Sequence, residues 1–326
     1  MAFQLSPGVS VSEVDLTTVV PSVLTTAGAF AGYFPWGPVN KTILVDSEIT
    51  LTNYFAPQGP TNAAATSFFT AASFLAYGNN LTVVRAANTQ MVLNATSAVS
   101  TNGLLIKNHD QYLTEYAHGE AGDSYGVFAA RYPGSLGNSI LVSMADSASF
   151  ATWAYKANFD AAPGTSTLAA SYGVTNDELH VVVVDEDGVL TGTPGYVLEK
   201  YAFVSKASDN RKSDGTNNYY KDAINSGSDY IYWMDHPATA TGWGSATQGT
   251  TFSTLASAVT RSLSGGVDDL TATDGQLISA WALYGDATLY DISLVPAGPA
   301  SIAVAESIIA MAEDRADCVA FISPQN

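Results

Sequence analysis

The side chains of this sequence that could do chemistry are few, and their spacing assembles no reaction. His109, His118, His180 and His236 are scattered, and none has a second His or Cys at the spacing zinc requires, so each reads as a surface histidine. Asp185-Glu186-Asp187-Gly188 has the opening of a calcium loop, but the distal glutamate is missing and apolar runs flank it; a solvated hairpin turn explains it better. Gly119, Gly122 and Gly126 miss the G-x-G-x-x-G spacing that lets backbone amides cradle a pyrophosphate, and no Gly-Lys-Ser/Thr phosphate loop occurs. The stretch TPGYV (193–197) supplies no nucleophile elbow. Cys318 is the sole cysteine and cannot form an internal disulfide; in DCVAFIS it reads as a small apolar residue of a buried strand, without a basic neighbour to lower its pKa. Val295-Pro296-Ala297-Gly298-Pro299 lies just beyond an apolar strand, where open α/β sheets bind ligands, which keeps a ligand-binding α/β enzyme domain as an alternative. Pro-Ala-Gly-Pro brings no acid, base or nucleophile, so a rigid strand-to-helix connection is the plainer account. The expectation is no catalytic residue, no cofactor and no metal.

Composition narrows the classes further. With 326 residues and 47% hydrophobic content, the chain can bury a substantial core, and its length suggests about two domains. Only 13% of residues are charged, against about a quarter in ordinary soluble proteins, which suits a subunit whose surface is covered by neighbours. Thirty acids against twelve Lys and Arg give a net charge of -18, the wrong sign for a nucleic-acid partner. No apolar run approaches the roughly twenty residues that span a bilayer, and the N-terminus has neither a basic nor an apolar leader region, so membrane insertion is not expected and folding in the cytoplasm is.

The elements that must position these residues have two textures. Leu24 to Tyr33 is small and apolar and predicts a buried strand, broken by Trp36-Gly37-Pro38. Thr42 to Val45 predicts a short strand, and Ser47 caps a helical turn through Phe55. Pro60 to Tyr77 reads as a helix with Thr61 or Asn62 as its cap and Gly78 as its stop, followed by a buried strand at Leu81 to Ala87. The β-α-β pattern returns near the other end. Asp274 caps a helix through Ala280, Trp281 and Tyr284, and Asp291 to Val295 is a strand. Ser301 caps a helix with Val304, Ile308 and Met311 on one face, and Asp317 to Ser323 is another buried strand. Residues 23–90 and 262–326 are therefore expected to form one discontinuous, mixed-sheet α/β domain.

Residues 91–261 read as an inserted outer α+β domain, largely antiparallel. Residues 91–122 look like a loop or small hairpin excursion. Strands are expected at Val127–Ala130, Ile140–Ala145, Leu179–Asp185, Val189–Thr191 and Tyr230–Met234, with Asp187-Gly188 as a hairpin turn. Val197–Val204 and Asn218–Ile224 are ambiguous or helical, and Gly227–Gly249 is loop-like. Ahead of everything, residues 1–22 form an extended arm: Val9 and Val11 alternate with serines, Val14 and Leu16 follow on the opposite phase, and Ser6-Pro7-Gly8 and Pro21 bound it. Such an arm has too few apolar side chains for a core and needs a sheet edge to join.

Six segments in order resemble the contractile tail sheath proteins of myovirus-type, T-even-like bacteriophages. LSPGVSVSEVD (5–15) is similar to the family's N-terminal arm, FAGYFPWGP (30–38) to its first core strand and turn, and FLAYGNNLTVVRA (74–86) to its helix-strand junction. YPGSLGNSILV (132–142), LSGGVDD (263–269) and RADCVAFISPQ (315–325) resemble its later turn, its entry into the closing helix and its closing strand. Each alone is weak; their shared order is specific.

The resemblance implies a structural, non-enzymatic virion subunit that polymerises around a tail tube and contracts to drive the tube through the host envelope, serving genome ejection and host entry. A related contractile injection system is the near alternative. The implied partners are neighbouring sheath subunits in homo-oligomeric helical rings, the tail tube protein, and the baseplate and tail terminator proteins, in a virion tail assembled in the host cytoplasm. It also implies that Ser6, Pro7, Gly8, Val9, Val11, Val14 and Leu16 form a strand shared with a neighbouring subunit. Two departures stand out. The region 91–122 is much shorter than the protruding domain of T-even sheaths. The sequence also stops after SPQ, where the family continues into a C-terminal domain that receives neighbours' arms, so the chain is expected to be part of a longer subunit.

Overall fold

The computed structural model describes residues 27–56, 62–98, 103–117, 122–270 and 273–323. It begins with β1 (Gly28–Gly32), β2 (Thr42–Val45), α1 (Glu48–Phe55), α2 (Asn62–Leu75) and β3 (Leu81–Arg85). The small residues of β1 let α2 approach closely: a Cβ at Gly28 would lie 2.5 Å from the Phe74 ring. Ser47 caps α1 as its sequence predicts, its Oγ accepting from Thr50 N at 3.2 Å. The expected caps of α2, Thr61 and Asn62, lie outside the residues whose side chains are described.

The middle of the chain supplies α3 (His109–Glu115), α4 (Gly122–Tyr125), β4 (Phe128–Ala130), β5 (Ile140–Asp146), α5 (Thr167–Ser171), β6 (Glu178–Asp185), β7 (Tyr196–Ser205), α6 (Tyr220–Gly227), β8 (Ile231–Trp233) and β9 (Val259–Ser262). Strands β7-β6-β5-β9 form an antiparallel sheet, and β4 pairs antiparallel with β8. Three expectations fail here. Val189–Thr191 is part of a turn, and the strand opposite β6 begins only at Tyr196. Val197–Val204, which local pattern leaves ambiguous, is strand because the valine run of β6 offers a ladder to pair with; two register shifts and Phe203 at φ 52 break the period-two alternation that would have revealed it. Residues 91–122 are more than a loop, since Asn108 caps α3 through Gln111 N.

The last elements are α7 (Asp274–Trp281), β10 (Leu294–Pro296), α8 (Ile302–Arg315) and β11 (Val319–Phe321). They rejoin the first ones in a five-stranded sheet of order β11-β10-β1-β3-β2, parallel except for β2. Helix α2 packs against β1 and β3; α7 packs against the same two strands and against α8. Phe30, Phe34, Phe55, Phe68, Val83, Trp281, Tyr284, Val295 and Ile308 share the main core. Ser301 caps α8 through Val304 N, and Val304, Ile308 and Met311 form its buried face. Thr273, rather than Asp274, is the N-cap of α7, and its N–H donates to Gln276 Oε1 at 2.6 Å. The closing strand is not buried: β11 is the sheet's edge, with Val319 58% and Phe321 57% exposed.

Candidate assembly surface and the junction behind it

The residues expected to form the shared strand, Ser6, Pro7, Gly8, Val9, Val11, Val14 and Leu16, lie outside the described residues. The described chain starts at Ala27, whose carbonyl accepts from Ser293 N (2.8 Å) and Leu294 N (3.0 Å) beside the start of β10.

The motif segments that lie within the described residues do not form a pocket. Four of them meet at the junction between the five-stranded sheet and the middle of the chain. From FLAYGNNLTVVRA, the buried Arg85 reaches into the turn of FAGYFPWGP, donating to Gly37 O at 2.8 Å and Pro35 O at 3.5 Å. Burial lowers its pKa to about 10, so it stays charged at neutral pH. Gly37 sits at φ 101, and Trp36 stacks edge-on against Tyr132 of YPGSLGN at 5.5 Å. That turn in turn grips LSGGVDD: Asn138 Nδ2 donates to Gly266 O (3.0 Å), Gly266 N donates to Asn138 Oδ1 (2.7 Å), and Ser135 N and Oγ donate to Asp268. A Cβ on Gly266 would fall 2.4 Å from Gly134 O, so the two turns touch backbone to backbone. The signal for Arg85 is a lone cation inside an apolar strand, which must find acceptors when buried.

The last motif is held locally. Arg315 is buried at the end of α8 and donates to Tyr284 O (2.6 Å), Tyr290 O (2.7 Å) and both oxygens of Asp317 (2.9 and 2.8 Å). This clamp, with Ala316 left-handed at φ 56, turns the chain from helix into β11. Cys318 is half-buried beside it, and burial pushes its thiol up.

The groups considered for chemistry have structural partners. His180 is fully buried, correcting its reading as a surface residue. Its Nδ1 accepts from Phe203 N and its Nε2 donates to Ala161 O, both at 2.9 Å, while the Phe159 ring stacks on it at 4.1 Å; burial lowers its pKa. His236 is half-buried among Trp233, Trp243 and Tyr220, whose Oη lies 2.6 Å from Nδ1, and His109 stacks on Tyr232; burial lowers both pKa values. His118 lies outside the described residues. Asp185 is buried, so the hairpin is only partly solvated: Leu190 N, Thr191 N and Thr191 Oγ1 donate to Oδ2, and Ser139 Oγ to Oδ1. Lys206 and Asp146 form a fully buried ion pair at 2.8 Å. Among the described residues no three His, Cys, Asp or Glu side chains gather as metal ligands. Beyond the strands, Ala31, Tyr33, Trp281, Ala297 and Pro299 pack together without room for a ligand.

Surface features of another kind are present. Between α2 and the β10–β11 edge runs an uncharged groove of about 580 Å³ that includes Phe69, Phe74, Leu294, Pro296 and Phe321. Exposed apolar side chains and an open sheet edge are the ordinary makings of a protein–protein contact.

No family model matches the chain. It is 26% identical over 413 residues to the tail sheath protein of Salmonella phage ViI, and 23% identical over 432 residues to that of Enterobacteria phage T4. These alignments take in 99% and 98% of this chain and 60% and 62% of the relatives. The chain thus spans about three-fifths of the length of the curated relatives it matches. Both alignments are longer than its 326 residues, so the relatives carry extra residues within the matched region. A shorter stretch of 92 residues is 38% identical to the tail sheath protein of Vibrio phage KVP40, covering 28% of this chain and 13% of that one. Among solved structures, the sheath tail protein Lin1278 of Listeria innocua covers 88% of this chain and 44% of its own, at 11% identity and a TM-score of 0.46. The sheath tail protein DSY3957 of Desulfitobacterium hafniense covers 90% and 46%, at 12% identity and a TM-score of 0.45. The resemblance to myovirus tail sheath proteins is borne out by curated relatives along nearly the whole chain.

Proposed function

We propose that this chain is part of a structural subunit of a contractile tail sheath, which polymerises around a tail tube and contracts to drive the tube through the host envelope. The observation that carries the reading is the alignment of 98–99% of the chain with two curated phage tail sheath proteins. The work is mechanical rather than catalytic. On this reading the partners are neighbouring sheath subunits in helical rings, the tail tube protein, and the baseplate and tail terminator proteins. The place of action is the virion tail, after assembly in the host cytoplasm.

Residues 1–22 are the arm, with Ser6, Pro7, Gly8, Val9, Val11, Val14 and Leu16 lending a strand to a neighbour's sheet edge. Residues 23–90 with 262–326 make the α/β domain, and 91–261 the outer insertion. Contraction of this kind needs two packings of nearly rigid bodies that differ in interface energy. The junction supports rigidity, because Arg85, Asn138 and Asp268 tie the turns on both sides of it. Deletion of residues 1–20 from the longer subunit tests the role of the arm. The sheet should keep its circular dichroism and melting behaviour while tube formation is abolished; tubes formed by the deletion variant would refute it.

A further inference from the structure

Among the described residues, Lys206 is the one lysine whose amine is buried against a carboxylate. Lys41 meets Asp110 in solvent, and the partner of Asp317 is Arg315, whose guanidinium stays charged and is no nucleophile. Both side chains of the Lys206–Asp146 pair are fully buried, with Nζ 2.8 Å from Oδ2. Asp146 ends β5 and Lys206 follows β7, so the pair reaches across β6, the strand between them. Lys206 N donates to Asp177 O at 2.7 Å, and the Trp243 ring lies 4.9 Å from Nζ, so the amine is held at both ends of its side chain.

The carboxylate is held as the acyl group of a transfer reaction is held. Oδ1 accepts from Ala148 N (3.1 Å), Ser149 N (3.4 Å) and Ser149 Oγ (3.2 Å), donors already in place for the charge that gathers on this oxygen when a nucleophile adds to Cγ. Oδ2, on the lysine side, also accepts from Leu255 N at 2.8 Å. An ammonium–carboxylate pair has the same atoms as an amide and a water, and only the first arrangement keeps two charges in the protein interior, where they are costly. Burial also lowers the Lys206 pKa, which brings the neutral, attacking form of the amine within reach. The fixed contact replaces a chance encounter.

We propose that Lys206 and Asp146 become joined, in the folded chain, by an amide bond between Nζ and Cγ with loss of one water. One proton passes from Nζ to Oδ2, giving a neutral amine and a carboxylic acid. The Nζ lone pair then adds to Cγ, and the electron pair displaced onto Oδ1 is met by Ala148 N, Ser149 N and Ser149 Oγ. As it returns, the Cγ–Oδ2 bond breaks, and a second proton from Nζ leaves with Oδ2 as water. No oxidant, cofactor or second chain takes part. The remaining N–H keeps Asn176 O as its acceptor, and Ser253 O, which Lys206 also serves, retains Trp243 Nε1. The bond closes residues 146–206 into a covalent loop that fastens β5 to β7 over β6. It is independent of the sheath reading.

Peptide mapping by mass spectrometry tests this on the native protein, denatured and digested with trypsin only after prolonged incubation in the folded state. The segments holding Asp146 and Lys206 should appear as one branched species, lighter by one water than their sum and uncut after Lys206. A water lost within a single peptide, as in ring closure at Asp187-Gly188 or Asp214-Gly215, would be a different reaction and would not count in favour. Lys206→Arg keeps a cation opposite Asp146 but removes the amine; it should retain the wild-type circular dichroism and give only linear peptides. Linear peptides with free Lys206 and free Asp146 from the wild-type protein overturn the proposal, as does a branched species that persists in the arginine variant.

Discussion

The five-stranded sheet and the antiparallel middle of the chain solve the same packing problem with different materials. The sheet is held by apolar contacts around Phe30, Val83 and Trp281, and its buried cations Arg85 and Arg315 are satisfied largely by backbone carbonyls. Among the described residues its outer strands are β11 and β2. The middle region buries Asp146, Asp177, Asp185, His180, Lys206 and Asn210, each with hydrogen-bond partners inside the same region. Polar networks of this sort are costly when incomplete and fix one arrangement when complete. The difference teaches that one region is fixed by internal polar bonds and the other by apolar packing between sheet and helices.

Breaking the polar block should have the largest effect. Asp146→Ala leaves the buried Lys206 without its counter-charge, with only the Asn176 and Ser253 carbonyls as acceptors, and also strips Leu255 N of its acceptor, so it should destabilise the chain by about 3–5 kcal/mol in urea unfolding. Equal stability of the variant and wild type would mean that the block does not depend on its ion pair. Next comes the junction. Arg85→Ala removes charged hydrogen bonds to two carbonyls and should cost about 2–3 kcal/mol, with the turn at Trp36 losing protection in hydrogen exchange. Protection that stays at its wild-type level would show that the turn holds without the guanidinium.

A smaller effect should appear with acid. His180 accepts at Nδ1 and is buried, so its folded pKa lies below that of the unfolded chain, near 6.5. The unfolded state therefore binds the proton first. The stabilisation is whole above about pH 6.5 and is lost as pH falls from there towards the folded value, with a slope of at most about 1.4 kcal/mol per pH unit. His180→Gln should flatten that part of the profile; an unchanged slope would place the acid sensitivity elsewhere. Smallest of all, Ser301→Ala should cost about 1 kcal/mol by removing the cap of α8, read as a change in the urea midpoint.

What could be read from the sequence divides along the same line. In the sheet region, local signals agree with tertiary structure: TILV is a strand at the expected residues, Ser47 and Ser301 cap their helices, and Val304, Ile308 and Met311 form one buried face. The main error there, a buried β11, arises because an apolar run cannot distinguish a central strand from an edge whose cover is not on the strand itself. In the middle region the long-range pairing decides. Val197–Val204 has a helix-compatible pattern, yet β6 holds it as strand, and Val189–Thr191 is turned by the Asp185 carboxylate, a contact that no local pattern encodes. The motif segments are legible as a set, but their convergence on one junction is not, because it depends on chain segments more than one hundred residues apart.

The measurement that bears most directly on the shared strand is a cryo-electron microscopy map of assembled tubes in which Ser6 to Leu16 can be traced. That segment should appear as a strand hydrogen-bonded to the sheet edge of a neighbouring copy. A trace that returns it to the sheet of its own subunit would contradict the mechanical role given to the arm.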